Sequence, residues 1–238
     1  MTPSFADKLA TYDWAAARND LDRGGYHVLP ELLSKQQCMS LVQNFDAPSG
    51  FRKTVVMERH QYGLGQYKYW DYPLPAVVQQ LRTSLYPHLV PVANAWMQQL
   101  RMERRFPATH QSLIAQCRKS GQSKPTPLIL KYQEGGFNML HQDIYGEVFF
   151  PMQAEVLLSE PGVDFTGGEF VLTQQSPRMQ AKPIVVRLGQ GDMIIFTTNF
   201  RPVEGKRGYH RATIKHGVSP LRSGQRLAMG VIFHDAET

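Results

Sequence analysis

From about residue 127 onward the chain is cut into short apolar or β-branched runs: LILKY, MQAEVLL, GGEFVLT, PIVVRL, GDMIIF, RATIKH and RLAMGVIF. Glycine, proline and polar residues separate them. Each run is too short for a stable helix and is bounded by turn-forming residues, so the pattern calls for strands. Roughly eight such strands bury their apolar faces only by closing on themselves or by stacking in two sheets. The expected fold is mainly β with α, built on a double-stranded β-helix (jelly roll) core.

The first half has a different texture. DWAAARNDLDRGG predicts a helix that Asp13 can cap and that Gly24 and Gly25 can end. YHVLPELL predicts a short strand, and SKQQCMSLVQNF opens with the capping box Ser34-x-x-Gln37 before apolar residues near helical spacing. A helical zone from Pro75 to about Arg101 contains Pro87 and Pro91, which should break it into pieces. The chain has no internal repeat, low-complexity tract or obvious linker, so residues 1–238 are expected to form a single domain. Residues 1–126 would supply helices that buttress one sheet together with a substrate lid, and residues 127–238 the jelly-roll catalytic core.

Composition narrows the setting. With 42% hydrophobic and 19% charged residues the chain is ordinary for a globular protein. It has no apolar run approaching the roughly 20 residues needed to span a bilayer, which argues against a membrane protein. The opening MTPSFADKLATYDW lacks the basic start and apolar block of a secretory signal, so a cytoplasmic location is expected. Cys38 and Cys117 form no C-x-x-C pair; Cys38 sits in a predicted helix and Cys117 near a loop, and both are read as reduced structural thiols. The net charge is +6, and between Arg201 and Arg226 seven cations face the single acid Glu204. That local excess makes a polyanionic partner plausible. Nothing in the sequence indicates an oligomeric state.

The stretch NMLHQDIYGEV sets His141 and Asp143 one residue apart among apolar and aromatic neighbours. In an extended strand residues i and i+2 share a face, so the two side chains would project together while Gln142 faces away. Two metal ligands can begin this way, and a late histidine would complete the 2-His-1-carboxylate set that leaves coordination positions open on non-haem Fe(II). His210 and His216 are both available. His216 is preferred because Arg226 follows it by ten residues and opens the last strand, whereas the same step from His210 reaches Pro220. An arginine so placed can hold the distal carboxylate of a dicarboxylic cosubstrate.

LILKYQEGGFNMLHQD, TGGEFVL, GQGDMIIF and HGVSPLRSGQR resemble, in order and approximate spacing, the Fe(II)- and 2-oxoglutarate-dependent dioxygenases. The resemblance covers most of residues 127–235, and GYHVLPELLSKQQCMSLVQNF is similar to the opening of prolyl-hydroxylase-type members. It implies that His141, Asp143 and His216 bind iron, that Arg226 binds the 2-oxoglutarate C5 carboxylate, and that the Tyr132 hydroxyl assists. It further implies Fe(II), 2-oxoglutarate and O2 as the reaction partners. The activity implied is hydroxylation of a substrate C–H bond with release of succinate and CO2. A jelly-roll module without catalysis would be expected to have lost a ligand or the arginine, and all four positions are filled.

For the substrate, the phrases around Tyr132 and His216 look most like AlkB-type enzymes, which demethylate alkylated nucleic-acid bases. FRKTVVMERHQYGLGQYKYW interleaves Arg59, Tyr67 and Tyr69 with further cations and aromatics, a mixture suited to stacking a flipped base of single-stranded or damaged nucleic acid. Arg211 in the late basic stretch would add a phosphate contact. Two departures point elsewhere. Ile232 stands where AlkB-type enzymes carry a second arginine, and Leu130 where they usually carry asparagine. These favour the prolyl-hydroxylase-like branch, whose substrates are peptides or small molecules.

Overall fold

The computed structural model describes residues 4–238. Five helices are α1 (Phe5–Ala10), α2 (Trp14–Gly24), α3 (Lys35–Asn44), α4 (Ala76–Gln99) and α5 (His110–Lys119). The first half also contains β1 (Tyr26–Leu29), β2 (Phe51–Val56), β3 (Gly63–Leu64) and β4 (Gln66–Trp70). The second half begins with β5 (Leu128–Tyr132), β6 (Phe137–His141), β7 (Met152–Leu157), β8 (Phe165–Gly167), β9 (Phe170–Gln175) and β10 (Lys182–Val186). It ends with β11 (Met193–Thr197), β12 (Phe200–Gly205), β13 (Gly208–Val218), β14 (Leu221–Gly224) and β15 (Arg226–Val231).

The strands form a major sheet in the order β1-β11-β7-β15-β5-β4-β2 and a minor sheet in the order β10-β9-β13-β6-β3, with β12 paired to β13 and a separate β14-β8 pair. The expected mainly-β jelly roll with N-terminal helices is what the chain adopts. It is richer in strands than the apolar runs suggested, because β8, β12 and β14 are short ladders with no continuous apolar stretch to announce them. Residues 51–70 form β2, a 3-10 turn at Met57–His60, β3 and β4. Because β4 is hydrogen-bonded to β5, β2 and β4 extend the major sheet.

Period-two alternation sorts the major sheet into two apolar layers. Ile129, Met193, Ile195, Leu227 and Met229 pack outward against α4 and its neighbours. Leu128, Leu130, Ile194, Phe196 and Ala228 point inward, towards Leu172 and Ile214 of the minor sheet. The site described below lies in this inner layer.

The local signals act as expected at α2 and α3. The Asp13 side chain accepts from the Ala15 and Ala16 amides, Gly25 ends α2 in the left-handed conformation at φ 78°, and the Ser34–Gln37 capping box is complete. The expectation that Pro87 and Pro91 break the helix is wrong, since α4 runs unbroken through both. Both prolines are solvent-exposed and four residues apart on one face, so the carbonyls they leave unbonded meet water. An interior proline costs about 3 kcal/mol. The opposite face buries Leu81, Leu85, Tyr86, Leu89, Trp96 and others, each worth roughly 1.5–3 kcal/mol, and this outweighs the two prolines. Cys117 lies within α5, two residues from its end and so near the following loop, and both cysteines are free and buried.

Helix α4 also anchors the tail that follows β15. Fully buried Arg82 donates from Nε to the Ile232 carbonyl at 2.8 Å and from Nη2 to Asp235 at 2.7 Å. Among the described residues no helix is long and apolar enough to cross a membrane.

Candidate metal centre

Strand β6 ends at His141, which lies opposite His216 of β13 in the antiparallel register. Asp143 falls two residues beyond the strand end, and its side chain still projects together with that of His141. Gln142 is directed away, donating to the carbonyls of Asn199 at 2.7 Å and Ile214 at 2.8 Å. The outcome is a convergent set. One ligating atom each from His141, Asp143 and His216 lies within 4.8 Å of the others. His141 Nε2 is 3.6 Å from Asp143 Oδ1, and His216 Nε2 is 3.2 Å from Oδ2.

Hydrogen bonds around the three residues suit them to a cation. His141 Nδ1 lies 2.7 Å from the Met139 carbonyl, which can only accept, so Nδ1 carries the proton and Nε2 presents its lone pair to the centre. Burial lowers the His141 pKa and the neighbouring His216 lowers it further, which favours the neutral, ligating form. Burial alone would raise the Asp143 carboxyl, yet His141, His216 and Tyr145 outweigh it and hold the group well below the usual carboxylate range. The Tyr145 hydroxyl donates to Asp143 Oδ1 at 2.7 Å and Gln153 Nε2 donates to Oδ2 at 2.9 Å. The result is two imidazole nitrogens and one anionic oxygen facing one point, a set appropriate to Fe(II).

Arg226 opens β15 opposite Tyr132 of β5. It is 1% exposed, and its guanidinium carbon is 5.8 Å from the Tyr132 ring centre. Nη2 donates to Glu155 Oε1 at 2.7 Å, whereas Nε and Nη1 are buried without a partner. Unpaired donors on a buried cation are costly, and an entering carboxylate would satisfy them. The Tyr132 hydroxyl accepts from Asn138 Nδ2 at 3.3 Å, and burial raises its pKa, so it remains a neutral phenol.

A cavity of about 560 Å³ adjoins His141 and Asp143. Tyr67 and Tyr69 line it together with Tyr62, Tyr145, Arg52 and Lys53. The Arg52 guanidinium sits 4.5 Å from the Tyr69 ring centre, and the Tyr69 hydroxyl donates to that of Tyr145 at 3.1 Å. Two tentative substrate residues are placed elsewhere. Arg59 is exposed on the 3-10 turn outside the cavity lining, and Arg211 projects from the β12–β13 hairpin, 3.9 Å from the Phe200 ring centre. The basic stretch is also less of a surface field than its composition suggests. Arg201 is buried, donating to the carbonyls of Asp22 and Arg23 at the end of α2, and Arg226 faces the interior.

Sequence reading missed Tyr145, Gln153 and Glu155. Tyr145 lies two residues after Asp143 in a stretch already singled out, and Gln153 and Glu155 are alternate polar residues in the otherwise apolar MQAEVLL. Such an inward polar pair was the available signal.

Residues 65–236 match the Oxygenase-NA family, described as an oxygenase catalysing oxidative methylation of damaged DNA. Uncharacterized proteins from two strains of Mycobacterium tuberculosis are each 45% identical to the chain over 164 residues, covering 69% of it and 70% of their own length. A prolyl-4-hydroxylase from Pseudomonas putida superposes with a TM-score of 0.51 at 18% identity, covering 92% of this chain and 96% of that one. An oxidoreductase of the 2OG-Fe(II) oxygenase family from Burkholderia pseudomallei gives 0.53 at 14% identity, with 95% and 94% covered. A Trichoplax adhaerens prolyl hydroxylase, solved with a hypoxia inducible factor peptide, gives 0.54 at 14% identity, with 97% and 90% covered. At these identities the structural likeness concerns the fold. The family match leads to one conclusion, with which the convergent donor set and the buried guanidinium agree: the chain belongs to the Oxygenase-NA family and is an oxygenase, an oxidoreductase that uses O2.

Proposed function

We propose that this oxygenase removes alkyl groups from damaged nucleic-acid bases. In this reading His141, Asp143 and His216 hold Fe(II), Arg226 grips the distal carboxylate of 2-oxoglutarate, and Tyr132 walls the cosubstrate pocket. The bound iron and cosubstrate supply the oxidising power that hydroxylates a C–H bond as 2-oxoglutarate becomes succinate and CO2. An N-methyl carbon hydroxylated in this way leaves the base as formaldehyde.

The observation that carries the reading is the lining of the cavity beside the metal ligands. It combines four tyrosines with Arg52 and Lys53, and Asp143 is its only acidic side chain among the described residues. An aromatic, cationic wall suits a planar base attached to phosphate, with Tyr62 and Tyr67 presenting ring surface, the buried Tyr69 backing the Arg52 guanidinium, and Arg52 and Lys53 presenting charge. The family description, which concerns damaged DNA, favours the same class.

A second reading, hydroxylation of a peptide or a small molecule, is favoured by the apolar rim. Met139, Leu140 and Ile144 border the cavity at 48%, 44% and 51% exposure, a surface suited to apolar side chains. Succinate release measured with methylated single-stranded DNA, methylated RNA, peptides and free amino acids separates the two. Stimulation by methylated nucleic acid alone, with binding that weakens steeply as salt rises, is expected. Stimulation by peptide alone would reject the nucleic-acid reading.

A further inference from the structure

The interior of the jelly roll contains a carboxylate that the bound 2-oxoglutarate would have to tolerate. On β7, Gln153, Glu155 and Leu157 alternate with Ala154 and Val156, which places Glu155 on the inward face between the metal ligands and Arg226. Its side chain is 8% exposed and holds Arg226 Nη2 at 2.7 Å. A buried guanidinium without a counter-charge is strongly unfavourable, and Glu155 supplies that counter-charge before any cosubstrate arrives. The same carboxylate repels the second one that must approach Arg226. The Nε and Nη1 donors remain for the newcomer, but the positive charge that would attract it is already balanced.

We propose that Glu155 sets the affinity for the cosubstrate, weakening the grip of Arg226 on a distal carboxylate. The inference rests on Arg226 being the 2-oxoglutarate anchor. Glu155 hydrogen-bonds to Arg226 and to none of the three metal-binding side chains, although its charge reaches His141, so the effect that acts through Arg226 should appear in cosubstrate binding and should depend on the charge at the far end of the ligand.

Calorimetric titration of Mn(II)-loaded protein tests this without turnover. Glu155→Gln keeps an amide oxygen for Arg226 and removes the charge, and is expected to bind 2-oxoglutarate about tenfold more tightly, a gain of about 1.4 kcal/mol. Binding of 2-oxobutyrate, which lacks the distal carboxylate, should stay unchanged; a merely structural role would move both ligands. Equal or weaker binding of 2-oxoglutarate by Glu155→Gln overturns the inference. Should that variant fold poorly, the wild-type protein provides a second measurement. Its preference for 2-oxoglutarate over the 5-methyl ester of 2-oxoglutarate, whose distal end is neutral, is expected to stay below about tenfold, and a preference above about a hundredfold overturns the inference, since each factor of ten is about 1.4 kcal/mol. Arg226→Met separates the two layers of reasoning. If it leaves 2-oxoglutarate affinity intact, the anchor assignment and the inference fall together; if it weakens binding while Glu155→Gln has no effect, only the inference falls.

Discussion

Replacing Tyr145 by phenylalanine would remove one hydroxyl from the structure and almost no volume. That hydroxyl donates to Asp143 Oδ1 at 2.7 Å. Burial and the adjacent Asp143 carboxylate raise the Tyr145 pKa well above its ordinary value, so the phenol remains a donor at any working pH. A hydrogen bond to a charged acceptor is worth about 1.5–3 kcal/mol. The Asp143 side chain retains 15% exposure, so solvent can replace part of the lost contact. The lower end of the range therefore applies, and Mn(II) or Fe(II) affinity should fall about tenfold. Tyr69→Phe removes only the outer bond of the pair, from the Tyr69 to the Tyr145 hydroxyl, and a neutral hydrogen bond worth about 0.5–1.5 kcal/mol predicts a smaller loss of about threefold. Competition against a chelator of known affinity measures both, with circular dichroism reporting that each variant is folded. A Tyr145→Phe protein that binds metal within about twofold of wild type, or a larger loss in Tyr69→Phe, would refute the view that Tyr145 orients and polarises the carboxylate.

Three further outcomes are expected. His141→Ala and Asp143→Ala should each abolish succinate formation, while His210→Ala, altered on the β12–β13 hairpin away from the cluster, should retain metal binding and turnover. Asp235→Asn should destabilise the fold by about 3–5 kcal/mol in urea unfolding, because Arg82 would keep its charge at a site with no exposure on either partner. Burial lowers the His110 pKa from 6.5 to about 3. The unfolded chain therefore takes up a proton below pH 6.5 that the folded chain refuses, and the stability contribution present above 6.5 is lost as pH falls towards 3. In metal-free protein, unfolding free energies at pH 7.5 and 5 should differ by about 2 kcal/mol less in His110→Gln than in wild type.

Local physics accounts for what the sequence by itself determined. Asp13, the Ser34–Gln37 box and Gly25 act within one turn of the helices they bound. The strand runs were legible because alternation and glycine or proline punctuation operate over a few residues. His141, Asp143 and His216 could be nominated as a group because strand order in a jelly roll is restrictive, and Arg226 because its step from His216 is short. Tertiary structure decided everything that depends on which way a residue faces. Pro87 and Pro91 are tolerated because α4 turns them to water, a fact their spacing alone does not contain. Arg201 and Arg226 count as surface charge in composition but end as buried donors, one at the end of α2 and one facing Glu155. Arg59 is exposed on a turn whose neighbours His60, Gln61 and Tyr62 line the cavity while Arg59 itself does not, and Arg211 lies on the β12–β13 hairpin, whereas Arg52 lies over Tyr69 within the cavity. Tyr145, Gln153 and Glu155 acquire roles only when β7, β13 and the segment after β6 are brought together. Charge and hydrogen bonding act over a few ångströms of space, and separation along the chain does not report that distance.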